Sequence, residues 1–277
     1  MSRYFLSIIP FFFVASCSVS SVPSPQVTVT QVHTLNPDLG ETSGLFCRDG
    51  SAFSINDSGN APELFVIDKQ GEITGRVTLD AKNKDWETIT GDDEFLYIGD
   101  IGNNAGKRKD LKIYQVSAST GDVSSTIRVA YEGNKTDENI PYSHDYDGEA
   151  MTMRDGKILI FSKSWGTETS HIYQVDVDKS EQLLTPIANV EGLPGVVTGV
   201  DWSDKLQQFV LVGYRSNALG MFKPFVAVVS ANYDVESVFP LAEFTQVEGV
   251  CHGPDNEVWI SQESTPYSSA KLAVLSL

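Results

Sequence analysis

Residues 85–100, DWETITGDDEFLYIGD, contain the pattern that decides the fold. Two apolar runs are separated by acidic turn residues, which is typical of two antiparallel strands joined by a hairpin. Glu87 stands at the head of the first strand, where a buried residue is expected. The same arrangement recurs four more times along the chain, so this stretch represents a repeated unit.

The repeated unit has three fixed features. An anchor residue is followed by a small residue and then an apolar one, and a second β-rich run comes after a turn signal. Successive anchors are 44, 62, 49 and 50 residues apart, which are lengths of propeller blades and not of heptads or helical repeats. Four-stranded units of this size, repeated radially, predict a β-propeller. The five anchors are Ser43, Glu87, Glu149, Thr198 and Glu248.

The two ends of the domain together supply the last blade. Only 29 residues follow Glu248, too few for four strands, and residues 27–42 provide the missing strand. Because closure removes the exposed edges of an open sheet array, we expect residues 27–35 to complete the fifth blade. The sequence therefore predicts an all-β fold, a single five-bladed β-propeller over residues 27–277 that is closed by its N-terminal strand.

The first 26 residues have the pattern of a targeting signal. A positively charged start precedes an apolar run, residues 4–13, that is too short to span a bilayer. Residues 14–17, VASC, resemble a bacterial lipobox. That resemblance implies a lipoprotein signal peptide (residues 1–16), a lipidated Cys17 and a tether (residues 17–26), and hence a lipid-anchored protein of the cell envelope, at the outer membrane on its periplasmic or surface side. An ordinary cleaved signal with a chance cysteine is the alternative.

The charge of the chain limits its partners. With 37 acidic and 20 basic residues, the formal net charge is −17. Bulk electrostatics then oppose binding to nucleic acid or to an anionic membrane. We expect a monomer that binds no nucleic acid and contacts the membrane only through its lipid anchor.

The anchors predict a metal site, because the innermost strands of a propeller converge on its axis. Three anchors are glutamates, and two carboxylates ~4 Å apart repel by about 4 kcal/mol at an effective dielectric near 20. No anchor is basic, and carboxylates with hydroxyls are ligands that suit Ca²⁺. We therefore predict that the five anchors bind Ca²⁺. In the alternative, the glutamates hydrogen-bond backbone amides in a wet channel.

In the order of its anchors, the chain resembles the five-bladed calcium-activated nucleotidases (apyrases). The resemblance covers roughly residues 41–277 and includes the hairpins TSGLFCRDGSAFSINDSGNAPELFVID and DWETITGDDEFLYIGDIG. It implies a central calcium ringed by serine and glutamate and the hydrolysis of nucleotides. The repeats are also similar to bacterial propellers described as phytase-like or esterase-like.

The loops after the second strand of each blade should rim the mouth nearest the anchors. We predict that Lys163 and Arg215 grip a phosphate or carboxylate there, and that Asp57 or Asp100 positions a calcium-bound water. The partner is then a small anionic ligand, or a partner protein, at this mouth. The alternative is that these residues serve only as solvated turns.

Two cysteines lie within the predicted propeller. Cys47 and Cys251 belong to the first and last blades, which closure makes neighbours, so a disulfide is conceivable in an extracytoplasmic compartment. Two buried free thiols are the alternative.

The predicted function is a calcium-dependent hydrolase of a phosphate ester, an anhydride or a related ester. The sequence has no GxSxG elbow, HExxH motif, Walker loop or dinucleotide fingerprint. The alternative is a non-catalytic binding or scaffolding propeller with a structural calcium, since propellers host both.

Overall fold

The structure, a computed structural model, describes residues 26–216 and 221–277. The predicted signal peptide, Cys17 and nearly all of the tether lie outside the described residues. Within the described part, twenty-one strands form five small sheets, and the two helical elements are single 3₁₀ turns, Pro37–Leu39 and Pro254–Asn256. None of the described helices is long and apolar enough to cross a membrane. The prediction of an all-β, five-bladed propeller is confirmed.

In each blade the strands follow one another from the axis to the outer edge. Blade 1 contains β2 (Thr42–Arg48), β3 (Ser51–Asn56), β4 (Glu63–Ile67) and β5 (Ile73–Thr78). Blade 2 contains β6 (Trp86–Gly91), β7 (Phe95–Asp100), β8 (Lys112–Ser117) and β9 (Val123–Tyr131). Blade 3 contains β10 (Gly148–Arg154), β11 (Lys157–Ser162), β12 (Ser170–Val175) and β14 (Pro186–Val190). Blade 4 contains β15 (Val196–Ser203), β16 (Gln208–Ser216), β17 (Phe222–Ser230) and β18 (Val235–Pro240). Blade 5 contains β19 (Val247–His252), β20 (Val258–Gln262), β21 (Lys271–Ser276) and β1 (Thr28–Thr34).

The N-terminal strand closes the ring as predicted. Strand β1 pairs antiparallel with β21, from Thr28 opposite Ser276 to Thr34 opposite Lys271. A disulfide joins Cys47 on β2 to Cys251 on β19, with their Cα atoms 5.5 Å apart. The first and last blades are therefore linked in two ways. The disulfide joins them, and the chain itself runs from β1 in blade 5 into β2 in blade 1.

One strand departs from the simple repeat. Strand β13 (Glu181–Leu184) leaves the blade 3 segment and pairs in parallel with the outer strand β9 of blade 2. Blade 2 thus has five strands, and blades 2 and 3 are tied together at their outer edges. The repeat pattern in the sequence does not predict this exchange.

All five anchors occupy the same structural position, a β-bulge in the innermost strand. The register of the two inner strands of each blade shifts across the anchor, so that the anchor has no direct partner on the second strand. A bulge re-aims the side chain of its extra residue. The repeat detected in the sequence is therefore a repeat of this bulge.

The small residue after each anchor allows the blades to meet at the axis. A Cβ on Gly44 would lie 2.9 Å from the Ile89 nitrogen, and one on Gly199 would lie 2.5 Å from the Glu248 carbonyl oxygen. Side chains also connect neighbouring inner strands, since the Thr88 hydroxyl accepts a hydrogen bond from the Met151 amide at 2.9 Å. The innermost strands therefore form a tightly packed central wall, and apolar clusters fill the spaces between blades.

Candidate functional site at the propeller mouth

The two hydroxyl anchors hold neighbouring blades together. The Ser43 hydroxyl donates to the carbonyl of Trp86 at 2.8 Å, and the Thr198 hydroxyl donates to the carbonyl of Val247 at 2.6 Å. In both cases the acceptor is the residue just before the anchor of the next blade. The structure brings Ser43 and Thr198 to the axis, where their hydroxyl protons are used in equivalent inter-blade hydrogen bonds.

Lys163 places a positive charge among the glutamate anchors. Its ammonium lies 3.0 Å from a carboxylate oxygen of Glu149, and the two residues are only 5% and 1% exposed. The other Glu149 oxygen is buried without a hydrogen-bond partner. Burial would lower the pKa of Lys163, but Glu149 and the nearby Tyr214 and carboxylates raise it well above its usual value. Lys163, which the sequence places on the rim, thus lies beside Glu149 as its ion-pair partner.

A group of three carboxylates lies at the blade 1 and blade 2 side of the mouth. One oxygen from each of Asp57, Asp85 and Glu87 falls within 4.8 Å of the others. The Glu87 side chain is 7% exposed and, among the described residues, forms no hydrogen bond or ion pair. A Cβ on Gly102 would lie 2.2 Å from a Glu87 oxygen and 2.6 Å from an Asp85 oxygen, so both carboxylates rest on this glycine.

Burial and mutual repulsion favour the protonated forms of these three carboxylates. Burial raises the pKa of Asp57, and it raises the pKa of Asp85 to about 6 with help from the Asp57 carboxylate. The pKa of Glu87 lies well above its usual value because of burial and the nearby Glu149. Arg108 approaches Asp85 at 3.6 Å and offsets part of this repulsion. A bound cation would relieve the remaining repulsion.

Asp57, Glu87 and Lys163 open into one cavity of approximately 450 Å³. Its lining has an acidic part and an aromatic part, and Lys163 is the basic residue among the described lining residues. The acidic part consists of Asp57, Glu87, Glu248 and Glu263, and the aromatic part of Tyr142, Trp165, Tyr214 and Phe222. Of the five predicted metal ligands, only Glu87 and Glu248 line this cavity.

The aromatic part consists of two edge-to-face pairs. Tyr142 and Trp165 have ring centroids 5.3 Å apart, and Tyr214 and Phe222 have centroids 4.7 Å apart. The ammonium of Lys163 lies 5.2 Å from the Trp165 centroid and 5.4 Å from the Tyr214 centroid. These distances are within the range of cation–π attraction, so one ring of each pair already interacts with the Lys163 ammonium.

Within the acidic part of the lining, Glu248 and Glu263 lie on the blade 5 side. Gln246 donates from its side-chain amide to Glu263 at 2.5 Å, and no lysine or arginine in the described ranges forms an ion pair with either carboxylate. Burial and the Glu248 carboxylate raise the pKa of Glu263 to about 9. This half of the cavity therefore also has more carboxylates than cations.

Two of the predicted catalytic residues do not line the cavity. Asp100 is fully buried, and its carboxylate pairs with Arg108 at 2.6 Å and accepts a hydrogen bond from the Asp85 amide at 3.1 Å. Arg215 is exposed at the end of β16, where the neighbouring Tyr214 faces the cavity. Because successive side chains of a strand point to opposite faces, Arg215 is directed away from the cavity. We therefore retain only Asp57 and Lys163 from the predicted catalytic set.

Sequence reasoning missed Asp85 and the aromatic wall. A signal for Asp85 was present, because the pattern Asp-x-Glu occurs in blade 2 and again as Asp147-Gly148-Glu149 in blade 3. Asp147 is used structurally, accepting hydrogen bonds from the Asn103 amide at 2.5 Å and the Trp165 indole at 2.9 Å. Only the structure distinguishes the two aspartates, because the difference lies in which donors reach them.

The three-carboxylate group fits a calcium ion in its donor chemistry. Ca²⁺ prefers carboxylate oxygens at 2.3–2.6 Å, so oxygens on one ion lie up to ~5 Å apart. Asp57, Asp85 and Glu87 meet that spacing, and Glu87 has no competing partner in the described structure. The contacts thus favour a cation site at this group over one formed by all five anchors, since Ser43, Thr198 and Glu149 are otherwise engaged.

Comparisons with known proteins do not indicate a function. No protein-family model matches the sequence, and no curated protein matches it. Three solved structures with some similarity are the Dos1 propeller (13% identity, TM-score 0.43), the hydrazine synthase of Kuenenia stuttgartiensis (14%, 0.45) and the mitotic checkpoint complex (12%, 0.44). They match 79%, 87% and 91% of this chain and 52%, 61% and 68% of their own chains. The chain thus spans about half of the Dos1 propeller chain, and at these similarities function has to be inferred from the site.

Proposed function

We propose that this protein is a calcium-dependent hydrolase that cleaves a small ester or phosphate ester at the propeller mouth. One observation carries the proposal: Asp57 and Glu87, two members of the three-carboxylate group, line the same cavity as the buried Lys163. The cavity is open to solvent, which is what a catalytic metal requires and a sealed structural ion does not. The donor set of three carboxylates, with no thiolate or imidazole, supports calcium as the ion.

In the proposed site, Asp85, Glu87 and one oxygen of Asp57 would hold the ion, which leaves the other Asp57 oxygen to accept a proton. When bound, calcium supplies a Lewis acid that polarises the ester oxygen and lowers the pKa of water. The ammonium of Lys163 is placed to stabilise the negative charge that develops on the carbonyl or phosphoryl oxygen. The aromatic pairs exclude water from one side of the cavity and hold the substrate against these groups.

The reaction consumes one water per ester. The water oxygen forms a bond to the carbonyl carbon or phosphorus while one of its protons passes to the Asp57 carboxylate. The bond from that atom to the ester oxygen then breaks, and the ester oxygen takes the proton and leaves as the alcohol. The products are one acid and one alcohol, and Asp57 returns to its starting state.

The test is turnover of a substrate panel by the purified protein, with Ca²⁺ and with EDTA. The panel contains nucleoside di- and triphosphates, p-nitrophenyl phosphate, p-nitrophenyl acetate and a lactone. We expect calcium-dependent hydrolysis that is lost in Glu87→Gln and Lys163→Met and retained in Lys223→Met, which removes an exposed lysine outside the cavity. Absence of turnover, with calcium still raising the melting temperature, would instead indicate a non-catalytic binding module.

We also propose that the protein is lipid-anchored in the cell envelope. The lipobox-like VASC sequence supports this, and so does the disulfide between Cys47 and Cys251, because disulfides persist in oxidising compartments. Strand β1 begins beside Ser276, at the end of β21 opposite the mouth loops, so the tether would leave from the face away from the mouth. Radiolabelled palmitate should label the wild-type protein and leave Cys17→Ser unlabelled; labelling of both would refute the anchor.

A further inference from the structure

We propose that the substrate carries an ammonium group, which binds between Glu248, Glu263 and the Tyr214–Phe222 pair. The inference rests on the proposed hydrolase function, because it names the class of substrate that the same mouth accepts. The substrate would be an ester or phosphate ester of an amino alcohol. Its ester or phosphate group would face the calcium site and Lys163, and its ammonium group would face the blade 4 and blade 5 side of the cavity.

The balance of charge around the cavity favours a cationic group. Glu248 and Glu263 are 5% and 9% exposed and line the cavity, and the described chain supplies no lysine or arginine in ion-pair contact with either. Lys163, which also lines the cavity, is held by Glu149 at 3.0 Å. Buried carboxylates are normally paired with a cation or a metal. The candidate calcium ligands lie on blades 1 and 2, and Lys163 acts on Glu248 and Glu263 without an ion-pair contact in the described structure, so this second acidic half has room for a further cation.

The adjacent aromatic wall favours an ammonium group in particular. Tyr214 and Phe222 form an edge-to-face pair 4.7 Å apart that lines the cavity with Glu248 and Glu263. Aromatic faces attract ammonium groups within ≈ 6 Å, and the Lys163 ammonium already lies 5.4 Å from the Tyr214 centroid. An aromatic wall beside carboxylates that form no ion pair in the described structure suits an alkylammonium ligand. A ligand that is only anionic would meet repulsion here.

The direct test is binding of choline and of its uncharged isostere 3,3-dimethylbutan-1-ol, measured by calorimetry with calcium present. The two molecules have nearly the same shape, so a difference in affinity reports the charge. We expect choline to bind at least tenfold more tightly than the isostere. Equal affinities, or no binding of choline, would overturn the proposal.

Variants locate the site. Glu248→Gln and Phe222→Leu should each weaken choline binding about tenfold, whereas Glu243→Gln, the same change at an exposed glutamate outside the cavity, should not change it. A thermal melt checks that each variant is folded. Because Glu248 and Phe222 lie on different blades, the second variant still tests the site if the first does not fold. Choline binding that is unchanged in both would place the ammonium elsewhere and refute this site.

Experiments can refute the ammonium proposal and the hydrolase proposal independently of each other. If choline binds selectively and the protein turns over no ester, the ammonium site stands and the hydrolase fails. If p-nitrophenyl acetate is cleaved but acetylcholine and 3,3-dimethylbutyl acetate are cleaved at equal rates, the hydrolase stands and the ammonium proposal fails. A preference of at least tenfold for acetylcholine in kcat/KM supports both.

Discussion

The buried ion pair of Lys163 and Glu149 predicts a large effect on stability. In Lys163→Met the side chain keeps most of its apolar length and loses its charge, so Glu149, which is 1% exposed, remains in the interior without the cation at 3.0 Å. Removing one partner of a buried ion pair typically costs about 3–5 kcal/mol. We therefore expect the free energy of unfolding to fall by about 3–5 kcal/mol in Lys163→Met, measured by urea denaturation.

The matched double variant separates pairing from packing. Replacing both charges, as in Lys163→Met with Glu149→Gln, removes the uncompensated carboxylate, and loss of a whole buried pair is often close to neutral. We expect the double variant to recover most of the stability lost in the single variant. A loss below about 1 kcal/mol in Lys163→Met would refute the reasoning, because it would mean that Glu149 does not depend on Lys163 for its charge balance.

Three further predictions follow from other contacts. In Cys47→Ser with Cys251→Ser, the cross-link between the first and last blades is lost, and unfolding in urea should require about 2–5 kcal/mol less free energy; an unchanged midpoint would show that β1 alone closes the ring. The pKa of Glu263 is raised to about 9 in the folded protein, so the free energy of unfolding of the calcium-free protein should fall as pH rises from about 4.5 to about 9. Glu263→Gln should reduce this dependence of stability on pH, and an identical dependence in the variant would contradict the assignment. Gly102→Ala adds a methyl group 2.2 Å from a Glu87 oxygen and should weaken calcium binding at least tenfold without removing a ligand, as measured by calorimetry; wild-type affinity would contradict a site resting on Gly102.

The fold could be predicted because each blade repeats the same short pattern of residue types. A bulge at the head of the innermost strand requires a polar anchor, a small residue where the next blade approaches, and an apolar residue beyond it, and this triplet recurs in every blade. The β13 exchange could not be predicted, because parallel pairing between blades leaves no local pattern in the residues Glu181–Leu184.

The site was predicted less completely, for reasons of side-chain direction. Lys163 was expected at the rim, but its long side chain reaches back to Glu149 at the axis. Arg215 was expected in the mouth, but the alternation along β16 gives that place to Tyr214. Neither outcome follows from sequence spacing, since the first depends on a rotamer and the second on the register of a strand that is longer than its equivalents in the other blades.

The measurement that tests the proposed calcium site most directly is calcium binding by calorimetry to the purified wild-type protein, to Glu87→Gln and to Ser43→Ala. We expect that the wild type binds calcium, that Glu87→Gln loses it, and that Ser43→Ala keeps it while losing stability, because Ser43 donates to the Trp86 carbonyl. An absence of calcium binding by the wild type would contradict the proposed site. So would binding that survives in Glu87→Gln and disappears in Ser43→Ala, which would place the ion in the ring of anchors.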